Sequence, residues 1–240
     1  AQALGPFRNP VNRVLARLVL PKLAMICARG AGTRANLDAI GLQNVTDVAD
    51  LAFSLDEAST LPPRAEALID PVRRNYLVVM PSAVVRRLFE TKGGDYVGAV
   101  SALVRALRDS TGLAVVIAPH SYRPGQPEGR MNDGPVCREV AGSTVLVTSR
   151  FHAMISGLAT CTPTVVVGWS HKYREVLQDF GLSEYGMDSA DLGEPERIVT
   201  AVSRCLADRD AIAARIGMAL PAVHERSMRN FTVIDAAARP

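Results

Sequence analysis

Short β-branched runs alternate with helix-like spacing between residues 143 and 181. Val145–Thr148 and Thr164–Val167 have the length and composition of buried strands. Ala153–Thr160 carries apolar residues three and four positions apart, and His171–Phe180 follows the second strand as another helical segment. The pattern predicts a strand–helix–strand–helix unit with parallel strands.

The polar residues of this unit stand at its turns. Arg150 and His152 follow the first strand, and Ser170 and Lys172 follow the second. A crossover between parallel strands brings both turns to one rim, where helix amino ends favour anions. Arginine and lysine bind carboxylate or phosphate, and histidine adds a proton donor. The rim predicts a site for a phosphate-bearing substrate, although helix capping by Arg150 and His152 and solvation of Lys172 explain the spacing equally well.

The same alternation occurs upstream. It predicts the following elements: a helix over Val11–Leu20, strands over Ala24–Ala28 and Asn44–Val48, and a helix capped by Thr33 and closed by Gly41. Arg29 stands at the end of the first of these strands, as Arg150 does at its own. A lone arginine there is more often a surface residue than a ligand.

From Tyr76 onward strands and helices alternate four times, which predicts a doubly wound parallel sheet. A strand ends at Pro81-Ser82, and another brings His120 to the edge that carries Arg150. The remaining predicted elements are these: a helix over Tyr96–Arg108 with an apolar stripe from Val97 to Leu107, a strand over Leu113–Ala118, a loop over Tyr122–Gly134, and helices over Pro135–Ala141, Pro195–Ala207 and Arg209–Asn230. Pro221 should bend or interrupt the last helix.

These elements predict an α/β protein of two domains. Residues 1–54 belong to the first domain, and residues 55–75 form a linker rich in Pro, Glu and Arg. Residues 76–208 form the second domain with the polar rim. Residues 209–240 form a C-terminal helix that we expect to pack back on the first domain.

Composition excludes several classes of function. The 240 residues are 48% hydrophobic with a formal net charge of +3, and only 5% are aromatic, so a nucleic-acid partner is not expected. The four cysteines are far apart and indicate neither zinc nor a disulfide framework. No apolar run reaches the roughly 18 residues of a membrane span, and no secretory pattern opens the chain. We expect a cytoplasmic protein that needs no metal.

Several motifs in this order resemble the polysaccharide pyruvyl transferases. They are Gln2-Ala-Leu-Gly-Pro-Phe7, Ala28-Arg29, Ile40-Gly41, Ala49-Asp-Leu-Ala-Phe53, Ser149-Arg-Phe-His-Ala153, Thr162-Pro-Thr-Val-Val-Val167 and Gly168-Trp-Ser-His-Lys172. The similarity runs to about Gly181. The family's glycine-rich amino-terminal stretch is absent and the spacing from His120 to Arg150 is short, which implies an incomplete first domain and a missing piece of loop.

The resemblance implies two Rossmann-like domains of the GT-B type and an activity. Family members transfer the enolpyruvyl part of phosphoenolpyruvate onto two hydroxyls of a sugar, forming a cyclic ketal and releasing phosphate. The Arg-x-His element implies that Arg150 and His152 are catalytic. Arg29 matches an arginine that has an acidic neighbour in the family, although Gly30 replaces that neighbour here. No cofactor is implied beyond the donor substrate.

The expected roles follow from this chemistry. Arg150 and Lys172, with Arg29, hold the carboxylate and phosphate of phosphoenolpyruvate, and His152 protonates the methylene carbon as general acid. His120 binds phosphate, acts as the base, or is only a loop histidine. The substrate-binding residues are, in full, Arg29, Ser82, His120, Ser149, Ser170 and Lys172.

Two other interpretations stay open. The first is a glycosyltransferase that uses a nucleotide-sugar, because a basic rim also suits a diphosphate. The second is a non-catalytic sugar-binding protein. The partners expected from the resemblance are phosphoenolpyruvate and a sugar or glycan acceptor of a bacterial cell envelope. Membrane-bound glycan intermediates would bring the protein to the inner face of the membrane as a peripheral protein.

Overall fold

Two parallel sheets organise the chain, whose computed structural model describes residues 4–54, 76–118 and 144–238. These residues form two compact units, one of residues 4–54 with 219–238 and one of residues 76–118 with 144–218. The predicted linker over residues 55–75, His120, the loop over residues 122–134 and the helix over residues 135–141 lie outside the described residues.

The first unit contains two parallel strands and the helices between them. In chain order its first elements are helix α1 (Pro10–Val19), strand β1 (Ile26–Arg29), helix α2 (Ala31–Asp38) and strand β2 (Val45–Val48). The register places Arg29 opposite Val48. Its core is apolar and consists of Ala16, Ile26, Ala28, Leu37, Ile40 and Leu42.

The start of α2 differs from the prediction, and its end agrees with it. Gly30 is the N-cap with a φ of 83°, and the buried Thr33 hydroxyl accepts the Leu4 amide at 3.3 Å instead of capping the helix. Gly41 has a φ of 81°, and the next amide bonds back to the Leu37 carbonyl at 3.3 Å. Glycine is favoured at this left-handed position because it has no Cβ.

The second unit is built on a five-stranded, all-parallel sheet in the order β4-β3-β5-β6-β7. Its strands are β3 (Tyr76–Met80), β4 (Ala114–Ile117), β5 (Val145–Thr148), β6 (Thr164–Gly168) and β7 (Gly186–Asp188). All residues of β3, β5 and β6 are buried, as expected for the centre of a parallel sheet. The predicted α/β class with a parallel sheet is confirmed.

The strand order reverses next to β3, because β4 and β5 lie on its two sides. The Ser149 amide donates to the Met80 carbonyl at 3.2 Å just beyond the paired residues of β3 and β5. In open α/β sheets the crevice at the carboxyl ends of the strands beside such a reversal is the usual place for a ligand.

Six α-helices belong to the described residues after residue 76. They are α3 (Ala83–Thr91), α4 (Tyr96–Thr111), α5 (Phe151–Ala159), α6 (His171–Asp179), α7 (Pro195–Ala207) and α8 (Arg209–Ala238). Helix α3 was not predicted. Helix α4 packs against α7 and buries Leu103 and Leu107, whereas Val97 of the predicted stripe is 56% exposed. Gly181 follows α6 with a φ of 65°, as predicted for the residue that ends this helix.

Helix α8 continues through Pro221 to Ala238, so the proline does not interrupt it, and the predicted end at Asn230 is wrong. A proline inside a helix costs about 3 kcal/mol. The helix is retained because Ile216 and Val223, on either side of the proline, are both buried. Among the described residues no helix is long and apolar enough to cross a membrane.

Candidate functional site

Arg150 lies at the carboxyl end of β5, beside the reversal of strand order. Its backbone amide donates to the Thr148 hydroxyl at 3.0 Å, and its carbonyl accepts the Met154 amide at 3.0 Å as the first bond of α5. Arg150 is therefore the N-cap residue of this helix, which begins two residues earlier than predicted. The side chain starts at the mouth of the crevice.

The Arg150 guanidinium has an unused donor. Its Nε is buried and has no hydrogen-bond partner among the described residues. Leaving a buried donor of a charged group unpaired is costly, so this donor is available to an acceptor on a ligand. Burial raises the pKa of the Tyr96 phenol, and raises that of Tyr173 to about 12, while the nearby positive charge of Arg150 opposes both shifts. Two neutral phenols and an arginine cation thus share this region.

The amino end of α5 adds to the positive potential at this place. The Arg150 side chain makes no capping hydrogen bond to the helix, and the first turn contains no acidic residue. The first amides of a helix carry partial positive charge and bind anions when no side chain caps them. His152 is the second residue of this turn and is half-buried, and its carbonyl accepts the Ser156 hydroxyl at 3.0 Å.

Phe151 joins the two predicted halves of the rim. Its ring centroid lies 5.5 Å from that of His152, in an edge-to-face arrangement, and 4.7 Å from Lys172 Nζ. The ammonium also lies 5.2 Å from the Trp169 ring and 5.4 Å from the Tyr173 ring. Cation–π attraction to three rings fixes the lysine charge against Phe151, whose ring also contacts His152.

Tyr173 contacts residues of both turns of the rim. Its hydroxyl donates to the Ser149 carbonyl at 3.1 Å, which connects α6 to the end of β5. A Cβ on Gly168 would come within 2.9 Å of the Tyr173 ring, so the close approach requires glycine at the end of β6. The ring also meets Phe151 edge to face at 5.5 Å between centroids. This packing holds the turns after β5 and β6 in one arrangement.

The three predicted serines are placed differently. Ser170 is the half-buried N-cap residue of α6 and makes no capping hydrogen bond with its side chain. Ser149 is buried, and its carbonyl is bound by Tyr173. Ser82 is buried at the N-cap of α3, where its hydroxyl accepts the Val85 amide at 3.5 Å and its own amide donates to the Tyr96 hydroxyl at 2.9 Å. Its hydroxyl therefore already has a structural role.

Arg29 belongs to the first unit, at the end of β1. Its guanidinium pairs with Asp50, which follows β2. Gly30 stands where the family has an acidic residue next to this arginine. Here Asp50, just after the neighbouring strand β2, supplies a carboxylate to Arg29 instead. Sequence reasoning gave Asp50 no role.

The aromatic residues of the rim were also missed. Phe151, Trp169 and Tyr173 each lie within one residue of a predicted site residue, and this proximity was the available signal. No group of three or more His, Cys, Asp or Glu that could hold a metal ion lies within residues 4–54, 76–118 and 144–238. The polar groups brought together in the second unit suit an anion.

A family model for polysaccharide pyruvyl transferase matches residues 1–171, which is more than half of the chain. No curated protein matches the sequence.

Solved structures share the fold at low identity. A putative UDP-N-acetylglucosamine 2-epimerase from Listeria monocytogenes is 13% identical with a TM-score of 0.61, over 97% of this chain and 64% of its own. The MnaA–UDP co-structure from S. aureus is 15% identical with a TM-score of 0.56, over 98% and 65%. The glycotransferase of kitacinnamycin is 17% identical with a TM-score of 0.54, over 83% and 51%. The chain thus spans less than two thirds of the length of these structures. Their similarity to it confirms the predicted Rossmann-like GT-B fold.

Proposed function

Because the chain belongs to the polysaccharide pyruvyl transferase family, we propose that it transfers the pyruvyl group of phosphoenolpyruvate onto a sugar of a cell-surface glycan. The product is a pyruvate ketal, and phosphate is released.

The observation that carries the proposal is the buried, unpaired Nε of Arg150 beside the uncapped amino end of α5. A carboxylate or phosphate oxygen would satisfy this donor and the first amides of the helix together. Phosphoenolpyruvate carries both kinds of anionic group. Lys172, held by the rings of Phe151, Trp169 and Tyr173, would bind the second one.

His152 is the proposed general acid. It gives a proton to the methylene carbon of phosphoenolpyruvate, so that the carbon bearing the phosphate becomes electrophilic. One sugar hydroxyl adds to that carbon, and a second hydroxyl then displaces the phosphate. The sugar hydroxyls lose two protons. One replaces the proton that His152 gave to the new methyl group, and the other leaves on the phosphate as hydrogen phosphate. A positioned acid of this kind contributes about 10²–10⁴ in rate.

Arg29, paired with Asp50 at the carboxyl end of β1, is a further proposed substrate-binding residue. The other proposed substrate-binding residues are Ser149 and Ser170, together with Ser82 and His120. No cofactor beyond the donor substrate and no metal is part of the proposed reaction. We place the protein in the cytoplasm, at the inner face of the membrane where its glycan acceptor is membrane-bound, and cell fractionation would test this location.

The alternative is a nucleotide-sugar-dependent glycosyltransferase. It is favoured by the fold shared with the glycotransferase of kitacinnamycin and with a structure that holds UDP. A nucleotide diphosphate could occupy the same helix amino end. The family membership favours pyruvyl transfer.

The test is a phosphate-release assay with phosphoenolpyruvate and a panel of galactosides and N-acetylmannosaminides, with product masses read in parallel. Pyruvyl transfer releases phosphate and adds the mass of pyruvic acid less one water to the acceptor. Absence of both, together with binding of a UDP-sugar, would replace the proposal by the alternative.

A further inference from the structure

An open groove adjoins the proposed donor site. It has a cavity volume of about 150 Å³ and lies at the carboxyl ends of β6 and β7, where Trp169, Ser170, His171, Arg174, Met187 and Asp188 line it. Among these residues the proposed reaction uses Ser170 directly and Trp169 only as a support for Lys172, so the groove needs a separate explanation.

Trp169 connects the groove to the donor site. Its ring lines the groove and also lies 5.2 Å from Lys172 Nζ, so a molecule in the groove would be next to the anion held by this lysine. The indole is 40% exposed, although tryptophan carries a large apolar surface that is normally buried. An exposed aromatic face in a groove is suited to stacking against the C–H face of a sugar ring.

The position of Trp169 is fixed before any ligand binds. Its ring meets Tyr173 edge to face at 6.5 Å between centroids, and the preceding Gly168 packs directly on Tyr173. Tyr173 is in turn bonded to the Ser149 carbonyl. A stacking surface that does not need to be ordered on binding loses less entropy.

The polar residues of the groove suit hydroxyl groups better than a second anion. Arg174 and Ser170 offer donors, and the Asp188 carboxylate offers acceptors. The Ala190 amide donates to Asp188 Oδ1 at 3.0 Å, which holds this carboxylate at the end of β7. Because Arg174 and Asp188 carry opposite charges, the groove is not uniformly cationic, and its donors and acceptors together suit a neutral polyol.

We propose that this groove is the acceptor subsite, in which a pyranose ring of the glycan stacks on Trp169 beside the donor. This inference rests on the proposed function and adds to it the place and chemical class of the acceptor. The sugar hydroxyls bond to the polar rim of the groove, and the hydroxyl pair that reacts is directed toward Lys172.

The test uses the single tryptophan of the chain as its own reporter. The protein is titrated with methyl galactosides and N-acetylmannosaminides without phosphoenolpyruvate, and fluorescence is excited where tyrosine does not absorb. Calorimetry measures the same saccharides in parallel. A saturable change of Trp169 emission with the calorimetric affinity is expected. Binding with unchanged emission, or no binding by any saccharide of the panel, would overturn the proposal.

Substitutions at Trp169 separate stacking from support of Lys172. Trp169→Ala should weaken saccharide binding about tenfold, as expected for one aromatic contact, and Trp169→Phe should restore most of it. Phosphoenolpyruvate affinity of Trp169→Phe should equal that of the wild type. Circular dichroism shows whether Trp169→Ala is folded. If the folded variant binds the saccharides as tightly as the wild type does, the groove is not the acceptor subsite.

The two proposals can fail separately. Saccharide binding that depends on Trp169 without release of phosphate from phosphoenolpyruvate supports the subsite and contradicts pyruvyl transfer. Pyruvyl transfer with an acceptor KM unchanged in Trp169→Ala supports the reaction and contradicts the subsite.

Discussion

Arg29 Nη1 lies 2.5 Å from Asp50 Oδ2, although 21 residues separate the two along the chain. The parallel register of β1 and β2 brings the ends of the two strands together, and Asp50 follows two residues after Val48, the partner of Arg29. The side chains are only 16% and 8% exposed. The carboxylate therefore fixes the direction of a largely buried guanidinium at the carboxyl end of β1.

Replacing Asp50 by Ala should destabilise the first unit, because it leaves the Arg29 cation partly buried without this partner. Breaking a fully buried pair costs about 3–5 kcal/mol in the free energy of unfolding. Because Arg29 remains partly exposed, the expected loss is about 2 kcal/mol. Urea unfolding followed by circular dichroism measures it.

The matched control for this experiment is Asp47→Ala. It removes a 3.4 Å pair with Arg34 whose side chains are 54% and 38% exposed, and it should cost at most about 1 kcal/mol. Equal losses in the two variants would mean that Asp50 does not act through its burial with Arg29. The double variant Arg29→Met with Asp50→Ala should recover part of the loss.

Arg150→Lys should weaken phosphoenolpyruvate binding about 10- to 100-fold, because lysine keeps the charge and loses the Nε donor, and a hydrogen bond to a charged group contributes about 1.5–3 kcal/mol. Calorimetry with the donor alone measures this change. Arg86→Lys, which alters an exposed arginine on α3 paired with Glu90, should bind as the wild type does. Wild-type affinity in Arg150→Lys would show that Nε does not contact the donor.

His152→Ala should lower the rate of ketal formation by about 10²–10⁴ while donor affinity changes little, because a general acid acts on the transition state. The assay is phosphate release at saturating phosphoenolpyruvate. His224→Ala removes an exposed histidine of α8 and should leave the rate unchanged. Full activity of His152→Ala would assign the proton transfer to another group.

Tyr173 should make stability depend on alkaline pH. Burial raises its pKa to about 12, so between about pH 10 and pH 12 the unfolded chain loses the phenolic proton and the folded chain keeps it. The free energy of unfolding should therefore fall as the pH rises through this window, by up to about 1.4 kcal/mol per pH unit from this group.

Tyr173→Phe tests this contribution. The variant should lose about 1 kcal/mol at neutral pH, because its ring cannot donate to the Ser149 carbonyl. Its stability should then fall less steeply than that of the wild type in the alkaline window. Urea unfolding followed by Trp169 emission measures the stability of the second unit at neutral pH and its change above pH 10. Parallel curves above pH 10 would contradict the assignment to Tyr173.

Strands β3 to β6 of the second unit were predictable because their residues are almost all apolar or β-branched, whereas β7 (Gly186–Asp188), which lacks this pattern, was not predicted as a strand. Val145–Thr148 agrees with the prediction at both ends, and the strand from Thr164 extends one residue further than predicted. A fully buried parallel strand gives this continuous signal in the sequence itself. The short helix Ala83–Thr91 was missed because Arg86, Arg87 and Glu90 interrupt its apolar pattern, and because Ser82 was read as a ligand and not as a cap.

The candidate site was predictable where it depends on residues at strand ends, and not where it depends on pairing between elements. Arg150, His152 and Lys172 follow strands and could be placed on one rim from the order of elements alone. The partnership of Arg29 with Asp50 follows from the register of two strands, which no local pattern reveals. The same holds for the contact of Lys172 with the Phe151 ring across two helices.

Helix α8 also determines when the first unit can form during synthesis. Ser227 Oγ donates to the Asp50 carbonyl at 2.8 Å, and Asn230 Nδ2 donates to the Ala49 carbonyl at 3.1 Å, across sequence separations of 177 and 181 residues. While a ribosome is still translating the intervening sheet, the loop that carries Asp50 has no helix to bind. The first segment of this unit is synthesised early and the second segment last. The first unit can therefore be completed only after all the residues between its two segments have been synthesised.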